Sequence, residues 1–168
     1  MNSKINKLAG LFLVATLMFS CKKVVGPLSD IRPAVPVTVT NAAAYRPDPT
    51  VTTSLSGGGV IQIVLSIPTG SGRKIKEITK VAASTNYSAI QGIGNGIIYY
   101  TTSPIVGGGT SVTFTTSIAE YFTKHPLVPV ANPAAVANAE LARRFYFLIT
   151  LDDNSLIVTT PVRVLVLS

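Results

Sequence analysis

Across 168 residues there is one histidine, one cysteine and no tryptophan, and seven Asp and Glu stand against fourteen Lys and Arg. Each shortage excludes something. Catalytic and metal-binding constellations draw on His, Cys, Asp and Glu, so the sequence predicts no enzyme, no cofactor and no metal. A lone cysteine cannot form a disulfide within the chain, and a hydrophobic core must therefore hold the fold. Only 12% of the residues are charged while 47% are hydrophobic, a balance that excludes disorder as the global state.

What is present begins with an address. Lys4 and Lys7 form a short basic start, Leu8 to Phe19 is apolar apart from Gly10 and Thr16, and Ser20 precedes Cys21. This is the three-part layout of a secretory signal, and the apolar run falls short of the ~20 residues that a membrane-spanning helix needs. With a cysteine where cleavage would fall, followed by Lys22 and Lys23, the segment resembles a bacterial lipoprotein signal. Met18 and Phe19 stand where the usual lipobox prefers Leu and then Ala or Ser, a departure that the looser boxes of Bacteroidetes-type lipoproteins tolerate. The resemblance implies that residues 1–20 are removed, that the Cys21 thiol receives a diacylglycerol, and that the new amino terminus is acylated. Each buried methylene would add ~0.8 kcal/mol, so several chains hold where one would exchange. The expected location is the cell envelope, at the outer membrane, on a face the sequence leaves open.

Residues 21–34 follow as the lipidated cysteine and a spacer containing Pro27 and Pro33, and residues 35–168 as one domain. Its Thr, Val and Ile favour strands, read at Val35 to Thr40, Val51 to Leu55, Val60 to Ile67, Lys74 to Ala82, Ile97 to Thr102, Ser111 to Thr116, Arg144 to Leu151, Leu156 to Thr160 and Val162 to Leu167. Glycine clusters at Gly57–Gly59, Gly92–Gly96 and Gly107–Gly109, and the run Asp152-Asp153-Asn154-Ser155, supply the turns. Phe145, Phe147, Ile149 and Leu151 alternate while Tyr146 and Leu148 keep the other face apolar, which predicts a central strand. The hairpin that follows resembles the last pair of an immunoglobulin-like sandwich, so the expected fold is an all-β, antiparallel, immunoglobulin-like β-sandwich. One or two short helical turns should interrupt it in a crossover loop, one at the capping box Ser117-Ile118-Ala119-Glu120 and one at Asn132-Pro133.

Motifs that would carry chemistry fail on inspection. Gly92, Gly94 and Gly96 lead into Ile97-Ile98-Tyr99-Tyr100, which reads as strand where a phosphate loop needs a helix N-terminus. His125 lies between Lys124 and Pro126 with Glu120 as its nearest acid and no nucleophile motif in the chain, so it reads as a surface-loop histidine. Asp152, Asp153 and Asn154 supply too few oxygens for calcium and read as turn formers.

Two surface features are candidates for binding. Arg73, Lys74, Lys76 and Lys80 are candidate contacts to an anionic surface, although lysines along one strand also protect an exposed sheet edge, and the edge reading is the stronger. Tyr99 and Tyr100 are candidate platforms for a sugar ring, since neighbours in a strand point to opposite faces. Nucleic acid is not an expected partner of an exported chain. The sequence thus predicts a non-enzymatic, lipid-anchored envelope module resembling the small lipoproteins of Bacteroidetes-type bacteria. It would contact an envelope protein through a strand edge or long loop; the alternative is a glycan-binding or adhesion accessory on the outer surface.

Overall fold

β-Branched residues set the backbone along most of the domain, and tight Gly- and Asp-containing turns cut it into short strands. The computed structural model describes residues 33–43, 46, 48–92, 99–125 and 138–168. The predicted signal, Cys21 and the spacer as far as residue 32 lie outside the described residues, as do Ile97, Ile98 and the Asn132-Pro133 cap. Among the described residues the elements are β1 (Thr38–Val39), β2 (Thr50–Ser54), β3 (Val60–Ser66), β4 (Ile75–Ser84), α1 (Ser88–Gln91), β5 (Ile105–Val106), β6 (Ser111–Ser117), α2 (Ile118–Lys124), β7 (Ala139–Glu140), β8 (Arg144–Leu151), β9 (Leu156–Val158) and β10 (Arg163–Leu167). The class is all-β.

Three sheets result, with strand orders β1-β3-β6, β2-β10-β7 and β5-β4-β8-β9. Every pair is antiparallel except β2 with β10, which run parallel from Arg163 opposite Thr50 to Leu167 opposite Ser54. That pair corrects the fully antiparallel expectation. Its cause lies at Pro161, which has no N–H to continue a ladder. After β9 the chain keeps one bridge to β8, Val162 opposite Phe145, and then crosses into the sheet of β2 instead of extending the hairpin.

The core is built from strand faces that alternate as a pleat requires. Ile61, Ile63 and Leu65 of β3, Phe145, Phe147 and Ile149 of β8, and Val164 and Val166 of β10 are all fully buried. β8 is central, as predicted, between β4 and β9. Its other face is apolar because Tyr146 packs with Ala82 and with Ile90 of α1 in a second, smaller cluster. The capping box also forms: Ser117 Oγ accepts from the Glu120 N–H at 3.1 Å, and α2 follows at once. Tyr99 to Thr102 makes only an isolated bridge, Thr101 opposite Val81, where a strand was expected.

Candidate functional site

The feature with the most evident capacity for contact is the outer side of β6. Its residues alternate Ser/Thr outward and Val112, Phe114 and Thr116 inward, and it pairs with β3 in an unbroken register from Val60 opposite Ser117 to Ser66 opposite Ser111. Hydrogen bonds on the far side of β3 establish which way the backbone faces. Thr40 N–H donates to the Val64 carbonyl at 3.0 Å, and the Asn41 side chain accepts from Val64 N–H at 3.0 Å and donates to the Gln62 carbonyl at 2.9 Å. Backbone groups alternate sides along a strand, so Ile61, Ile63 and Leu65 face β6 and meet Thr116, Phe114 and Val112. Ser111, Thr113 and Thr115 therefore direct their N–H and C=O groups away from the sheet, with no partner among the described residues.

Protein edges are usually kept short or blunted with charge, proline or a bulge. The other outer strands follow that rule: β1, β5 and β7 have two residues each, β9 three and β2 five. β6 has seven, and no charged residue, proline or bulge interrupts it. Nor do β1 and β3, its sheet partners, contain a charged residue.

The predicted binding residues are placed differently from expectation. Tyr100 is only 3% exposed. Its ring sits edge-on to Phe114 and Phe145, and its hydroxyl pairs with Thr116 Oγ1. Burial pushes its pKa up to about 12. A ring enclosed in this way presents no face to a sugar, which corrects the platform role for Tyr100. Tyr99 is half-buried against the Tyr146 cluster, with Lys80 Nζ 4.9 Å from its ring centre. Cys21 lies outside the described residues.

The basic residues do not form one free patch. Arg73 pairs with Asp152 and Asp153, Lys76 donates to Asn154 Oδ1 at 2.9 Å, and Lys74 is exposed. The edge reading is corrected as well, because β4 lies between β5 and β8. What Arg73 and Lys76 do is clamp the β8–β9 turn. That turn needs its Asp and Asn: Asn154 has φ 64°, a left-handed conformation Asn tolerates, and Asp153 accepts from the Ser155 N–H at 3.0 Å.

His125 corrects the surface-loop expectation. It caps the C-terminal end of α2, donating its N–H to the Tyr121 carbonyl at 3.0 Å, and is 5% exposed, its Nε2 without a hydrogen-bond partner among the described residues. Tyr100 and Tyr121 flank its ring at 5.9 and 5.3 Å. Burial, and then the positive charges of Arg143 and Lys124, lower its pKa below the ordinary 6.5. The unfolded chain thus takes up the proton first as pH falls. Stability is complete above about 6.5 and declines as pH drops from there toward the lower folded value. A urea midpoint that falls between pH 7 and pH 5.5 in the native chain, and falls less in His125→Phe, is the expected result; parallel profiles would show that the imidazole is not the group responsible.

Around that ring, Lys124 ties α2 to the segment before β5, donating to the Tyr100 carbonyl at 2.8 Å and pairing with Glu120 at 2.8 Å. A second polar assembly, not visible in the sequence, joins distant parts of the chain. Arg163 of β10 pairs with Asp48 at 2.8 Å and with Glu140 of β7 at 2.9 Å, and Arg46 meets the other Glu140 oxygen at 2.6 Å. These groups and Thr50 line a small open cleft in which the charges balance one another. Residues 46–50, Glu140 and Arg163 lie far apart in the chain, so only the fold could bring these three places together. Compared with family models, curated proteins and solved structures, the chain matches none.

Proposed function

We propose that this protein is a lipid-anchored, non-enzymatic module of a bacterial cell envelope, held at the outer membrane through Cys21. Its immunoglobulin-like β-sandwich binds another envelope polypeptide by accepting a strand at the edge of β6. The observation that carries the binding half of this reading is the row of outward backbone donors and acceptors at Ser111, Thr113 and Thr115. Main-chain hydrogen bonds of that kind supply affinity when an extended segment adds to a sheet. The anchoring half rests on the signal-like segment and its cysteine.

The experiment uses the full chain in a bacterial host, with a photo-reactive residue in place of Thr115, a palmitate-analogue label and the variant Cys21→Ala. Label incorporation that disappears in Cys21→Ala, together with one discrete cross-linked protein product, is the expected result. An unlabelled native chain would overturn the anchor, and diffuse or absent cross-linking would overturn the edge. Protease shaving of intact against lysed cells then assigns the face. Cleavage on intact cells combined with a glycan product in place of a protein one would move the reading to the surface adhesion alternative.

A further inference from the structure

The partner strand can be narrowed from the chemistry of the edge. We infer that the segment added at β6 is β6 of a second copy of this chain, paired antiparallel about a two-fold axis through Phe114; the inference rests on the edge reading above. In that register Ser111 lies opposite Ser117 and Thr113 opposite Thr115. Residues with free outward backbone groups therefore face one another, and each N–H meets a C=O. An offset of one residue would set the outward groups of one strand against inward groups of the other, so the parity of the edge restricts the pairing.

Charge favours the same occupant. Without residues 1–20, and so without Lys4 and Lys7, the formal net charge falls from +7 to +5, and two such chains can approach closely only where the seam between them is neutral. β1, β3 and β6 hold no charged residue, so the sheet that would become continuous across the axis brings hydroxyl against hydroxyl and Thr against Thr, a favourable cross-strand pair. An acidic or basic partner strand would find nothing at this edge to read. Symmetry adds a third consideration. A two-fold contact uses the same patch on both molecules and closes, so one pairing event consumes the edge on both copies and leaves no template for further growth. The seam buries little apolar surface, because Val112 and Phe114 are already in the core. Association is accordingly weak in dilute solution and is promoted where anchoring in one membrane raises the local concentration.

The test is cysteine cross-linking of the full-length chain in cells. Opposed residues of a hydrogen-bonded antiparallel pair have Cα atoms ~5.5 Å apart, within the range a disulfide bridges. The double variant Thr113→Cys/Thr115→Cys is therefore expected to run as a covalent dimer on a non-reducing gel, at least several-fold above Thr52→Cys, whose site on β2 is also exposed, and above the native chain with its single Cys21. Adding Thr113→Pro to the native chain removes an outward N–H without breaking a bond to β3, as edge strands permit. It is expected to leave the folded core intact and to shift the detergent-solubilised protein from dimer to monomer in sedimentation. A dimer from Thr113→Cys alone, as strong as from the double variant, would overturn the Phe114 axis. A double variant that stays monomeric while the photo-reactive residue captures a different protein would overturn the second copy and leave the edge reading standing. Neither product would overturn both.

Discussion

Replacing Phe145 by alanine is expected to cost about 3–5 kcal/mol of stability, a large part of the ~5–15 kcal/mol typical of a domain. The ring is fully buried and touches four others, those of Tyr100, Phe114, Tyr121 and Phe147, at centroid distances of 5.2, 5.5, 6.0 and 6.4 Å. Phe147 shares β8 with Phe145, while the other three come from the segment before β5, from β6 and from α2. Phe145 also bridges to Val162 at the point where the chain leaves β9 for β10. Its loss opens a cavity beneath the strand whose outer side is the proposed contact edge. In urea the midpoint should fall by about 1–5 M for an m-value of about 1–3 kcal/mol/M. Val60→Ala, at a side chain 49% exposed, should stay within about 0.5 kcal/mol. A Phe145→Ala midpoint indistinguishable from that of Val60→Ala would show that the aromatic cluster does not hold the sheets together.

Much of this architecture was legible in the sequence where the signal was local. β8 matches its expected span residue for residue, from Arg144 to Leu151, because Phe145, Phe147, Ile149 and Leu151 alternate while Tyr146 and Leu148 keep the other face apolar, which leaves few alternatives. The Ser117 cap was legible for the same reason, since donor and acceptor lie three residues apart. Partnership across long stretches of chain was not. Nothing in Thr50–Ser54 marks it as the parallel neighbour of Arg163–Leu167, and the antiparallel expectation failed there. Lys74, Lys76 and Lys80 pointed to an edge because lysine is common at edges; two short segments, β5 and the bridge at Thr101, instead cover that side of β4.

The site residues divide along the same line. Adjacency of Tyr99 and Tyr100 implies opposite faces, but it does not say which face is core. That was decided by Phe114, Thr116 and Phe145, which enclose Tyr100. His125 looked like a loop residue because Pro126 follows it, and its burial depends on Tyr100 and Tyr121 closing around it. A strand from Ser111 to Thr116 was legible in the sequence. Its openness was not, because an edge is defined by the strand that fails to lie beside it, and that is a property of topology rather than of the residues themselves.

Gly107→Ala is the second substitution with a large expected effect, and it bears on the turn that delivers the chain into β6. A β-carbon at Gly107 would lie 2.4 Å from the Ile75 carbonyl oxygen, far inside contact distance, and the obstacle is backbone rather than a side chain that can swing away. That closeness is not incidental. Gly107 N–H donates to the Lys76 carbonyl at 2.8 Å, Gly108 N–H to the Ile75 carbonyl at 2.7 Å, and Ile75 N–H to the Gly109 carbonyl at 2.7 Å. The glycine run is thus laced onto the start of β4, and a methyl group at its first position must push the two backbones apart. Overpacking of this kind costs about 1–3 kcal/mol, and strained bonds at Gly108 and Gly109 place the effect at the upper end. Gly109→Ala is the internal comparison: a β-carbon there would meet no atom of the described residues within 4 Å apart from its chain neighbours, and the residue's φ is not positive, so the substitution should be nearly neutral. If thermal unfolding of Gly107→Ala matches that of Gly109→Ala, the close approach to Ile75 is not maintained in solution. If it is lowered by several degrees while Gly109→Ala is not, the turn is held against β4 as described, and β6 begins from a fixed point, as a strand offered to a partner in one register requires.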